Sequence, residues 1–174
     1  MDKVLENYRQ NLEQECKNDV PYFDPLSSHL GKILALLQDP GKSGAEVSKT
    51  CSVWNNDDPT AEKQRFMLKK HKVKEEELLC WNFYGSFNVD IDHIKNSDKI
   101  FWAIQLEELI KLCPSIKVII VFGKKAWDGM YYFNNTKKIP IITAPHPSRK
   151  GMTQPNAEVK LNFAWKSAKQ IIDL

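Results

Sequence analysis

Two hydrophobic patterns alternate along this chain. Continuous apolar runs occur at 33–37, 78–80, 118–122 and 139–143, each too short for a typical helix. A run with no polar alternation predicts a strand covered on both faces, as in a parallel sheet. Between the runs, apolar residues recur at helical spacing. Val4, Leu5, Tyr8, Leu12 and Cys16 predict a first amphipathic helix laid on the sheet. Asp58-Pro59 reads as a second helix start, because aspartate caps free amides and proline is tolerated at the first helical position, and the helix runs on through Phe66, Met67 and Leu68. Ile100, Phe101, Ile104 and Leu109 predict a third, stopped by Cys113-Pro114. A further helix is expected over 124–133. The last draws its inner face from Val159, Phe163, Ala164, Ala168, Ile171 and Ile172.

Strand and helix in alternation imply an α/β fold: a three-layer αβα sandwich around a mostly parallel four-stranded sheet, expected as a single domain over 1–174. Each apolar run leads into a polar cluster: Gln38-Asp39-Pro40-Gly41, Trp81-Asn82, Gly123-Lys124-Lys125 and Pro145-His146-Pro147-Ser148. Open parallel sheets bind ligands beyond the carboxyl ends of their strands. An acid, an amide and an imidazole are therefore expected to meet at one sheet edge. The stretch 41–58 has little periodicity and is expected to wall a cleft, since long loops in compact domains tend to be functional.

At 174 residues with 42% hydrophobic content, the chain can bury a core without covalent or metal staples. A net charge of +3 suits a polyanionic partner and also describes many ordinary enzymes, so charge selects no function class. Cys16, Cys51, Cys80 and Cys113 lack the spacing of a zinc or iron–sulfur site. No apolar run is long enough to cross a bilayer, and the first residues lack the apolar stretch of a signal peptide. The expectation is an intracellular, cytoplasmic protein with reduced thiols.

Gln38-Asp39-Pro40-Gly41 after the first run and His146-Pro147-Ser148 after the last resemble the two signature motifs of the uracil-DNA glycosylase superfamily. Asn82 stands where that superfamily commonly places its base-reading amide, and the resemblance spans roughly 30–150. It implies a DNA repair hydrolase that flips a uracil out of the helix, cleaves its N-glycosidic bond and leaves an abasic site. Asp39 would orient the attacking water and stabilise the sugar cation, and His146 would donate to the base O2. Asn82 would pair with O4 and N3, while Gln38, Pro40 and Gly41 complete the pocket. Ser43, Lys124, Ser148, Arg149 and Lys150 would contact phosphates, with Met152 as the apolar plug filling the vacated stack. The implied partner is uracil-containing DNA, single- or double-stranded, bound by a monomer with no metal, no cofactor and water as the co-substrate.

Two positions depart from the family pattern. The uracil-excising branch carries a tyrosine after Asp-Pro whose ring excludes the thymine methyl, and Gly41 cannot do this. The aromatic that stacks on the flipped base is displaced; Trp54 is the nearest candidate, with Cys51 or Phe83 as alternatives for the same wall.

Plainer readings exist for the same residues. Asp39-Pro40-Gly41 has turn chemistry wherever it occurs, and Asn82 can simply hold its loop. Asp58 reads as a helix cap, Asp57 stays open, and Gly123-Lys124-Lys125 lacks P-loop spacing. Two rival functions share the fold: a catalytically inactive DNA-binding module, and a hydrolase acting on free nucleosides or nucleotides.

Overall fold

The computed structural model describes residues 2–174. The first half holds α1 (Lys3–Cys16), β1 (Tyr22–Phe23), β2 (Ile33–Leu37), α2 (Ala45–Ser48), β3 (Thr50–Cys51) and α3 (Pro59–His71). There follow β4 (Leu78–Asn82), α4 (Asn96–Leu112), β5 (Val118–Phe122), α5 (Lys124–Gly129), β6 (Ile141–Ala144) and α6 (Ala157–Asp173). The long apolar runs form one four-stranded sheet in the order β4-β2-β5-β6, with every pairing parallel. β1 and β3 pair separately as a two-stranded parallel ribbon.

Ile33 to Leu36 and all of β5 are fully buried, the outcome the unbroken runs imply for strands covered on both faces. Each of the Ile, Leu, Val and Phe side chains among them contributes about 1.5–3 kcal/mol on removal from water. β6 is the partly exposed edge. One layer of the sandwich is α3 and α6, with α6 lying on β5 and β6; the other is α1, α4 and α5. α1 packs on α4 and β1, and its Tyr8 meets Trp81 edge-on at 6.1 Å.

The chain leaves β2 for β4 on one side and then crosses back to β5 on the other, so the strand order reverses at β2. Reversals of this kind open a crevice at the carboxyl edge.

Several expectations change in detail. β4 continues through Trp81 and Asn82, and β6 begins at Ile141 because Pro140 has no amide to give the ladder. The helix expected over 124–133 stops at Gly129 and tightens into a 3₁₀ turn, Met130–Tyr132. Ile100 and Ile104 face outward, since Trp102, Leu106, Leu109 and Ile110 take the inner side of α4. Val159 and Phe163 are likewise exposed, and Leu161 and Trp165 fill the core in their place. No described helix is long and apolar enough to cross a membrane, and Cys16, Cys51, Cys80 and Cys113 are free thiols.

Candidate functional site

Asn82 ends β4 directly opposite Leu37, the last residue of β2. The pairing carries on past both strands: Phe83 N donates to Leu37 O at 2.8 Å and Tyr84 N to Gln38 O at 2.9 Å. This ladder pins the start of the Asp39 loop beside the Asn82 side chain. At the other end of the sheet, Gly123 N donates to Ala144 O at 2.9 Å, tying the exit of β6 to the exit of β5.

Two glycines then bring His146 inward. Gly123 has φ +86, a region costly for residues with a Cβ, and a Cβ there would sit 3.2 Å from the His146 Cβ. At Gly151 a Cβ would fall 1.9 Å from the His146 carbonyl oxygen, an impossible approach to backbone. Gly151→Ala should therefore displace the 146–151 loop and destabilise the protein by about 1–3 kcal/mol, read as a lower Tm accompanied by a changed His146 environment in NMR.

The result is a single cavity of about 410 Å³, lined by Asp39, Asn82 and His146 together. Its mouth carries exposed Gly41, Lys42, Ser43, Arg149 and Lys150 along with half-buried Ser148. Its floor is formed by buried residues: Cys51, Val53, Ala61, Gln64, Cys80 and Asn82. The stretch 41–58 forms one wall as expected, but it is an organised segment. α2 and β3 lie within it, Arg65 of α3 donates to the carbonyls of Val53 and Asn56 at 2.7 Å each, and Ser48 Oγ donates to Asn56 Oδ1 at 2.5 Å.

Asp58 has two parts to play here. Its Oδ1 accepts from the amides of Thr60 and Ala61 at 2.8 and 3.2 Å, the expected cap of α3. Its side chain also lines the cavity, and Gly44 lies so close that a Cβ would meet Asp58 Oδ2 at 2.3 Å. Asp57 is fully exposed and outside the cavity lining.

The electrostatics differ for each polar group. Burial holds the Asp39 carboxyl above the ordinary carboxylate range, partly opposed by the Gln38 amide, 2.6 Å from Asp39 Oδ1, and by the nearby Lys125 ammonium. Burial also lowers the His146 pKa, against a raising influence from Asp58, so the imidazole is neutral at neutral pH. Ser148 N donates to His146 Nδ1 at 3.2 Å, which assigns the remaining proton of the neutral ring to Nε2. Asn82 Nδ2 donates to Cys51 Sγ at 3.4 Å. Burial pushes the Cys51 thiol up to about 12, and Cys80 is raised for the same reason, so both are inert thiols.

Other expected site residues lie elsewhere. Gln38 is outside the lining and acts through its bond to Asp39, and Pro40 is buried behind the loop. Trp54 packs on the hydrophobic core outside the cavity lining, where Cys51 and Val53 stand instead, and Phe83 is buried against Gly129. Met152 also packs on the core, because the 3₁₀ turn Gly151–Thr153 directs it inward and not outward as a plug. Lys124 is exposed at the start of α5, apart from the cavity. Asp58 lines the cavity although its sequence reading was a helix cap alone, and Ser52, Asn56, Thr60 and Gln64 are polar lining residues that no sequence signal marked.

Among the described residues no cluster of histidine, cysteine or acidic side chains could hold a metal ion. No protein-family model matches the chain, and no curated protein matches it.

Proposed function

We propose that this protein is a DNA repair glycosylase that removes uracil from DNA by base flipping. The observation that carries this reading is the convergence of Asp39, Asn82 and His146 from three strand ends on one cavity. Cleaving an N-glycosidic bond develops positive charge on the deoxyribose and negative charge on the departing base. The cavity offers a carboxylate for the first charge and a donor for the second.

In this reading the flipped base enters with its sugar at the mouth. The Asp39 carboxylate accepts a proton from a water that attacks the anomeric carbon as the bond to base N1 breaks. The bonding electrons leave with the base, whose O2 takes a hydrogen bond from His146 Nε2–H. A neutral imidazole is sufficient for that step, which fits its lowered pKa. The Asn82 amide presents an acceptor for N3–H and a donor for O4, and cytosine would leave both unpaired.

The deciding experiment incubates the protein with single- and double-stranded oligonucleotides carrying one uracil, followed by alkaline cleavage of abasic sites. Strand scission at the uracil position is expected; intact oligonucleotides retained in stoichiometric complex would favour a binding module. Release of base from free deoxyuridine but not from DNA would favour a nucleoside hydrolase.

Arg149 and Lys150 at the mouth are the cations placed to meet phosphates. Replacing both by alanine should weaken DNA binding uniformly across sequences and flatten the salt dependence of log K by about 2. A titration series in salt checks this; an unchanged slope would place the DNA backbone elsewhere.

A further inference from the structure

The Asn82 side chain is held by one hydrogen bond within the chain. Its Nδ2 donates to Cys51 Sγ at 3.4 Å, and both buried residues line the cavity. Its Oδ1 has no partner in the chain, yet it is not sealed in the interior as Gln64 Oε1 is. Resting on the glycosylase reading above, we infer that Cys51 is a positioning residue whose sulfur fixes which end of the Asn82 amide meets the base, and so makes the site prefer uracil to cytosine.

A side-chain amide is nearly symmetric in shape, and half a revolution about its last bond exchanges C=O and NH₂ with almost no change in volume. The exchange inverts what it reads. With Oδ1 toward N3–H and Nδ2 toward O4 the amide matches uracil; with the ends exchanged it would donate to the bare N3 of cytosine and accept from its N4 amine. An amide free to turn would serve both bases, so discrimination requires a neighbour that holds one end. Cys51 is that neighbour. Nδ2 carries two protons, one used on the sulfur and one left for a base, whereas Oδ1 in the same place would meet only the weak S–H donor. The thiol stays protonated at neutral pH, because burial pushes it up to about 12, so the sulfur is a neutral acceptor. Its position is also fixed. Cys51 pairs with Phe23 across the β1–β3 ribbon, Phe23 stacks on Trp81 with ring centroids 3.9 Å apart, and Trp81 immediately precedes Asn82.

The test compares wild type with Cys51→Ala, Cys51→Val and Cys51→Ser. Affinities are measured for matched single strands carrying either 2′-fluoro-2′-deoxyuridine or 2′-fluoro-2′-deoxycytidine, whose fluorine destabilises positive charge on the sugar and so lets binding be read without cleavage. Alanine and valine both remove the acceptor, and valine fills the volume that alanine leaves. Both should lower the ratio of uracil to cytosine affinity about two- to tenfold, the range for losing one hydrogen bond. Serine keeps an acceptor at that position and should hold the ratio near the wild-type value. Affinity for a strand with an abasic site, which offers no base to read, should stay the same in every variant. An unchanged ratio in both the alanine and valine variants overturns the inference, as does a serine variant that falls as far as they do. A wild type that excises uracil yet binds both strands equally overturns it too, and leaves the glycosylase reading intact. A wild type inert on uracil in DNA overturns the glycosylase reading and this one with it.

Discussion

Asp39→Asn is expected to slow excision of uracil from DNA by about 10²–10⁴-fold under single-turnover conditions, the usual range for losing a positioned general base. The asparagine keeps the volume and the contact with Gln38 but can neither take the proton from water nor balance the sugar's positive charge. Affinity for uracil-containing DNA should persist, which separates this outcome from misfolding. A second readout follows from the raised pKa. The folded protein holds the Asp39 proton more tightly than the unfolded chain, so ionising it opposes folding. That penalty grows as pH rises above the ordinary value of 3.8 and is complete once pH exceeds the folded value. The Asp39→Asn protein should therefore melt higher than wild type at pH 7, with the gap closing as pH falls from the folded value toward 3.8. Wild-type excision should show an acid limb whose midpoint lies above 3.8. A variant that excises at the wild-type rate would remove Asp39 from the chemistry.

His146→Ala should cost about 10²–10³ in the rate of bond cleavage, comparable to deleting one donor from an oxyanion hole. Its effect should fall on the chemical step and not on binding, because the hydrogen bond to O2 strengthens as negative charge accumulates there. Nitrogen NMR of the labelled protein should show a neutral ring at pH 7 with its proton on Nε2, set by the Ser148 amide at Nδ1. The lowered pKa means that the unfolded chain protonates first, so stability is full above 6.5 and declines as pH drops toward the folded value. His146→Ala should melt with less acid sensitivity over that interval. A ring found protonated at pH 7 would contradict the assignment.

The central sheet was legible in the sequence because Ile33–Leu37 and Val118–Phe122 are apolar at every position, which only a doubly covered strand requires. Asp39, Asn82 and His146 were legible because they lie at or just beyond such runs, where chain topology alone directs residues to one edge. Helix faces were harder. α4 carries apolar residues around much of its circumference, so Ile100 and Ile104 matched the helical period as well as the truly buried Trp102 and Leu106. β1 and β3 are two residues each, too short to leave a period. Trp54 and Met152 have the chemistry of a platform and a wedge, but local turns direct both to the core. Gln64 resembles every other polar residue of α3, and what turns it inward is the packing of that helix against a folded segment distant from it in pattern.

The cavity walls come from stretches as far apart as Leu37 and Lys150, and no residue of β5 lines them. Such a hollow cannot persist in a fragment or a partly opened chain, so occupancy is coupled to the global folding equilibrium and not to a local one. A tight occupant at a hundred times its Kd would add about 2.7 kcal/mol to the cost of complete unfolding by mass action. Amide exchange should then slow throughout the interior strand β5, which the occupant never touches, because those amides open only when the whole sheet comes apart.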